Sequence, residues 1–146
     1  MAEKNQAGTP LWKKLAIKPG AEVALVGSPA GFREALGPLA EGVRVHSRPR
    51  GELDLIVFFT SQRSELLRRF PDLAATLTPA GGLWVAWPKK VSSIETDLSF
   101  EVVQRAGLDA GLVDNKSCSI DEDWQALRFV YRLKDRPGRR RPTSAR

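Results

Sequence analysis

Two short stretches hold residue types that could grip a ligand: Gly27-Ser28-Pro29-Ala30-Gly31 and Trp87-Pro88-Lys89-Lys90. A strand-to-helix loop with glycines at both ends lets backbone approach an anion and turn N–H groups toward it. Two ammonium groups at a strand end can hold a phosphate or a carboxylate. The chemistry is anion binding, and Gly27, Ser28, Gly31, Lys89 and Lys90 are assigned to it as a ligand edge. Each stretch also has a plainer reading, a tight turn using glycine for backbone freedom and a solvated lysine pair beside a core tryptophan.

The remaining candidates are read as structural. Asp114-Asn115-Lys116 reads as a surface turn or bulge. Asp54 opens a strand, away from the edge where ligands bind in α/β sheets. His46 reads as an edge-strand surface residue with no acidic orienter nearby in sequence. Cys118 reads as a small buried residue rather than a nucleophile. No acid, base and nucleophile converge, so no catalytic residue is assigned. One cysteine and one histidine exclude a disulfide within the chain and a Cys/His metal cluster.

These residues must be positioned by a sheet. Glu22-Val23-Ala24-Leu25-Val26-Gly27 and Leu53-Asp54-Leu55-Ile56-Val57-Phe58-Phe59 are nearly continuous apolar runs, the mark of strands buried on both faces. Val43-Arg44-Val45-His46-Ser47 alternates and predicts an edge strand. A Pro/Gly-Gly turn, Pro79-Ala80-Gly81-Gly82, precedes a strand over 83–87. Thr9 is expected to cap a short helix that has Pro10 in its first position. A second helix over 32–36 ends at Gly37-Pro38. Ser61 is expected to cap a third that runs to Phe70 and breaks at Pro71. Thr96 or Asp97 should cap a fourth, with Leu98, Val102 and Ala106 on one side and Gly107 at its C-terminal left-handed position. The strands over 112–120 and 126–133 form a final hairpin around Asp121-Glu122-Asp123.

The order resembles a shortened class I S-adenosylmethionine (SAM)-dependent methyltransferase. Ile17-Lys18-Pro19-Gly20-Ala21-Glu22-Val23-Ala24-Leu25-Val26-Gly27-Ser28-Pro29-Ala30-Gly31 is similar to that family's opening motif. Leu53-Asp54-Leu55-Ile56-Val57 is similar to its fourth strand, and Leu77-Thr78-Pro79-Ala80-Gly81-Gly82-Leu83 to the turn before its fifth. The resemblance implies a small Rossmann-like, methyltransferase-like α/β fold: a mostly parallel sheet with a C-terminal antiparallel hairpin. The chain departs from the pattern at Leu25, where the motif has an acid, and at Pro29, where it has a glycine. His46, Ser47 and Arg48 stand where an acid would meet the cofactor's ribose. The stretch between the second strand and Leu53 is too short for the helix and strand that normally intervene. The order over 8–134 also resembles a family of small bacterial proteins catalogued as domain of unknown function 3052. That likeness rests on Gly8-Thr9-Pro10-Leu11, Pro79-Ala80-Gly81-Gly82-Leu83-Trp84-Val85-Ala86-Trp87-Pro88-Lys89-Lys90 and Gly107-Leu108-Asp109-Ala110-Gly111-Leu112-Val113-Asp114-Asn115-Lys116.

The chain of 146 residues, 42% hydrophobic, is expected to form one domain over 9–133, between a flexible segment 1–8 and a basic disordered tail 134–146. The net charge of +6 is mostly that tail, which carries +5. The folded part is near neutral, so nucleic acid is expected as a partner only through the tail. No apolar run approaches the roughly 18 residues of a membrane span, and no signal segment is read, so a cytoplasmic protein of a GC-rich bacterium is expected. The function expected is a non-catalytic binding or regulatory module for a protein partner or a small anionic ligand, with no bound cofactor. The alternatives are a SAM-dependent methyltransferase with an atypical cofactor loop, and a nucleic-acid-associated protein acting through the tail.

Overall fold

The computed structural model describes residues 9–132, so both terminal segments assigned above lie outside the described residues. Ten elements follow in order: α1 (Leu11–Lys14), β1 (Glu22–Val26), α2 (Phe32–Ala35), β2 (Arg44–His46), β3 (Leu53–Phe59), α3 (Arg63–Ala74), β4 (Leu77–Pro88), α4 (Phe100–Asp109), β5 (Leu112–Ser119) and β6 (Trp124–Tyr131). The six strands form one sheet in the order β2-β1-β3-β4-β6-β5. The first four are parallel, with β2 at the edge, and β5 and β6 add the antiparallel pair. This is the fold class read from the sequence.

Continuous apolar character in β1, β3 and β4 reflects cover on both faces. α3 and α4 pack Leu66, Phe70, Leu73, Val103 and Ala106 on one face, against Ile56, Phe58, Val85 and Phe129. Leu15, Phe32 and Leu36 cover the other, against Leu55, Val57, Trp84 and Ala86. Trp84 and Trp87, three residues apart, lie on opposite faces as strand alternation requires. Among the described residues no helix is long and apolar enough to cross a membrane.

Several local expectations are corrected. Pro10 is itself the N-cap of α1, so the helix starts one residue later than read. The Pro/Gly-Gly segment is not a turn outside the sheet: β4 begins at Leu77, and a two-residue step on β3 from Leu53 to Leu55 spans Leu77 to Gly82 on β4. α3 runs through Pro71 to Ala74, with Gln62 as N-cap. Pro71 is exposed, so water can satisfy the Leu67 carbonyl that loses its donor. Ser61 does not cap α3. The Asp97 carboxylate accepts from the Arg63 N–H at 2.7 Å, and Thr96 donates to the Ser61 carbonyl at 2.7 Å. The two residues expected to cap α4 therefore hold the start of α3, and Ser99 caps α4, accepting from the Val102 N–H at 3.3 Å. The apolar seam of α4 is Val103, Ala106 and Gly107, with Leu98 buried ahead of the helix. Gly107 lies inside α4, and the left-handed residue after the helix is Gly111 (φ 94°). Gly107 is needed for close approach, since a Cβ there would fall 2.1 Å from the Phe129 ring.

Two stability experiments follow. Helix propensity alone favours Gly107→Ala by about 1 kcal/mol. The Phe129 clash should reverse the sign and destabilise by about 1–3 kcal/mol in urea denaturation. A stabilised variant would show that the helix and strand do not approach so closely. Trp84 is fully buried, and its indole N–H donates to the Leu15 carbonyl at 3.1 Å. Trp84→Ala should cost about 3–5 kcal/mol, and a cost under about 1 kcal/mol would remove β4 from the centre of the sheet.

Candidate ligand site

The chain leaves β1 toward β2 on one side and returns to β3 on the other. Neighbouring strands whose connections diverge in this way open a crevice outside their carboxyl ends. Gly27 follows β1 at that point, in the left-handed region (φ 71°). A Cβ on Gly27 would lie 2.9 Å from the Phe59 carbonyl oxygen at the end of β3. Only glycine lets the loop leave β1 so close to its neighbour. Gly31 (φ 86°) ends the loop with open space where a side chain would be, and Ser28 is half-buried between them.

Against this loop is a cavity of about 300 Å³, lined by Pro29, Gly31, Phe32, Asp121, Asp123 and Trp124 among others. Its floor is aromatic. The Phe59 ring stands edge-on to Phe32 at 4.8 Å and to Trp124 at 5.1 Å. Its far wall is the β5–β6 turn, which the Asp121 carboxylate organises by accepting from the N–H groups of Asp123 (2.8 Å) and Trp124 (2.9 Å). The sequence showed Asp121, Asp123 and Trp124 only as a hairpin turn. Only the acid pair within that turn could have signalled them.

The structure does not bring Lys89 and Lys90 to this lining. The Lys89 ammonium donates to the Ser119 hydroxyl at 2.6 Å, and its backbone N–H donates to the Asp123 carbonyl at 2.8 Å. Lys14 donates to the Ser119 carbonyl at 2.8 Å. Both lysines thus brace the base of the turn, while Lys90 is exposed. The cavity beside the glycine loop is walled by carboxylates and an indole, which suits a cation better than an anion. A second hollow, of about 590 Å³, lies between Ser61-Gln62 and Glu95-Thr96-Asp97.

The other sequence candidates fall elsewhere. His46 does have an acidic partner, remote in sequence: its Nε2 lies 2.8 Å from Glu22 Oε1. The parallel pairing of β1 and β2, with Ala24 opposite His46, brings them together. Asp114 accepts from the Gln104 amide at 3.2 Å, beside the β5 bulge that the sequence suggested. Cys118 is half-buried, and burial pushes its thiol pKa up, against the opposing effect of Lys14, Lys116 and Lys89. Among the described residues no cluster of His, Cys, Asp or Glu could hold a metal ion.

No family model matches the chain, and no curated protein matches it by sequence. Solved structures do match by fold. A SAM-dependent methyltransferase from Aquifex aeolicus superposes with a TM-score of 0.58 at 14% identity, over 80% of this chain and 85% of that one. A ribosomal protein L11 methylase from Lactobacillus delbrueckii subsp. bulgaricus gives 0.56 at 15%, over 83% and 74%. Magnesium protoporphyrin IX methyltransferase from Synechocystis, with bound SAH, gives 0.54 at 9%, over 78% and 75%. At these identities the likeness is one of fold. It nevertheless overturns the expectation of a non-catalytic binding or regulatory module, because these neighbours are methyltransferases and favour the methyltransferase alternative.

The Cys118 environment can be tested directly. A thiol with a raised pKa keeps its proton at pH 8, so iodoacetamide should alkylate Cys118 several-fold more slowly than a free cysteine peptide. Unfolding in urea should restore the peptide rate. Equal rates in the folded protein would place the thiol in water.

Proposed function

We propose that the chain is a SAM-dependent methyltransferase with an atypical cofactor loop, binding its cofactor in the crevice outside β1 and β3. The observation that carries this reading is the switch point itself, with Gly27 packed against the Phe59 carbonyl and a cavity of about 300 Å³ beside it. That volume is at the small end for a ligand pocket.

The residues fit the charged end of the cofactor. SAM carries a sulfonium and an ammonium group, and Asp121 and Asp123 supply the opposite charge while Trp124 supplies an aromatic face. The glycine loop borders the same cavity through Pro29, Ala30 and Gly31, while Gly27 and Ser28 lie just ahead of that lining. The fit does not extend to the ribose. His46, Ser47 and Arg48 stand where the family has an acid, and His46 is paired with Glu22. Bound SAM would supply a methyl group activated by the adjacent sulfonium for transfer to a nucleophile on the acceptor. This chain's residues hold the cation and shape the aromatic floor beneath it. The motif likeness to the small bacterial family of domain of unknown function 3052 extends the proposal to that family. One half-buried thiol suits a reducing, cytoplasmic compartment.

Calorimetric titration of the full chain with SAM, and separately with S-adenosylhomocysteine, tests the reading. SAM should bind with a dissociation constant of about 1–100 µM. Asp121→Asn keeps an acceptor for the turn and removes the charge, so it should weaken SAM about tenfold and S-adenosylhomocysteine, which lacks the sulfonium, much less. Absence of binding by either compound at millimolar concentration would refute the proposal.

A further inference from the structure

A third cavity, of about 480 Å³, opens at the opposite edge of the sheet, where the parallel strands begin. Its walls carry Lys18, Asp54, Ala80, Lys116 and Arg128, so three cations face one carboxylate. That carboxylate is already engaged, accepting from the Glu22 N–H at 2.9 Å and the Thr78 hydroxyl at 3.4 Å. Arg128 is half-buried, and its Nε is buried without a hydrogen-bond partner. The guanidinium's only hydrogen bond among the described residues runs from Nη1 to Asn115 Oδ1 at 3.5 Å, the limit for such a contact. Gly82 makes room for the guanidinium, since a Cβ there would lie 2.5 Å from Arg128 Nε. The chain therefore keeps a guanidinium partly out of water, against bare strand backbone, with no acid paired to it among the described residues.

We propose that this cavity binds a phosphate-bearing small molecule, whose phosphate is held between the Arg128 guanidinium and the Lys18 and Lys116 ammonium groups. A desolvated guanidinium lacking an acid is unfavourable until an anion reaches it. Its planar fork matches a phosphate, and two mobile ammonium groups complete the charge. Asp54 offers an acceptor to a hydroxyl on the same ligand. The volume and concavity suit a small molecule better than an extended polymer. Burial pushes the Arg128 pKa down, and a bound anion would oppose that shift. The site is separate from the proposed cofactor crevice, and its test does not depend on that reading.

The experiment is a thermal-shift titration of the full chain with inorganic phosphate, with sodium chloride at matched ionic strength as reference and a short oligodeoxynucleotide as a third arm. Phosphate should raise the melting temperature beyond chloride, saturating in the millimolar range. Arg128→Met should melt no lower than the wild type without phosphate, because it removes an unpaired cation, yet bind phosphate at least about tenfold more weakly. Lys116→Gln, at an exposed position, should weaken binding about threefold and decides the matter if Arg128→Met does not fold. Three results would overturn the proposal: a response equal to that of chloride, a full phosphate response in Arg128→Met or, if it does not fold, in Lys116→Gln, or binding of the oligonucleotide alone. The second would place the anion outside this cavity.

Discussion

From residue 81 to residue 88, strand β4 has no solvent face. Such a strand admits few polar atoms, and each one must find its partner inside the protein. Trp84 brings an indole N–H into the layer between the sheet and α1, where its acceptor is the carbonyl of Leu15. That bond joins the middle of the sheet to the end of the first helix. It sets where the chain turns into Lys18-Pro19-Gly20 and hence where β1 begins. The same constraint acts on the opposite face, where the missing side chain of Gly107 lets α4 settle onto Phe129. The cavity beside the glycine loop and the one at the amino edge both take part of their walls from the segment around α1, Leu11 in one and Ala16 to Gly20 in the other.

Sequence reading reached the strands because burial on two faces leaves a local record, a run of apolar residues with no alternation. It reached the bulge at Asp114-Asn115-Lys116 and the hairpin for similar reasons. It failed where the decisive partner is far along the chain. The Asp97 carboxylate reads locally as a cap for the helix that follows it, but 34 residues earlier the Arg63 N–H is the donor it meets. Gly107 reads as a helix terminator because a glycine near a helix end usually is one. Nothing local announces that an aromatic ring 22 residues later needs the space. His46 lacked an acid nearby in sequence, and the parallel pairing of β1 with β2 supplied Glu22. Pro71 signals a break only while its exposure is unknown.

The loop was legible in the sequence, and the charges that stand beside it were not. Gly27 and Gly31 stand out by type and spacing, and the structure gives each a geometric reason. The nearest cations in the pattern, Lys89 and Lys90, end the strand that should face the loop, yet neither lines the cavity beside it. Folding engages Lys89 with Ser119 and the Asp123 carbonyl, and the charged residues that reach the cavity, Asp121 and Asp123, come from the turn between the last two strands. A cavity walled by two segments almost a hundred residues apart leaves no motif in either one.

The two edges of the sheet end up with opposite character. At the carboxyl edge, beside the loop, Asp121 and Asp123 stand over an aromatic floor. At the amino edge, Lys18, Lys116 and Arg128 surround a single engaged carboxylate. Strand β6 connects them, with Trp124 near one end and Arg128 four residues on, both on the face that also holds Ala126 and Trp84. Period-two alternation keeps these side chains on one face whatever their chemistry. One strand can therefore present an indole to a cation at one end of the sheet and a guanidinium to an anion at the other. A near-neutral total for the folded part is compatible with local fields of opposite sign at the two edges, which is why net charge carried no information about either cavity.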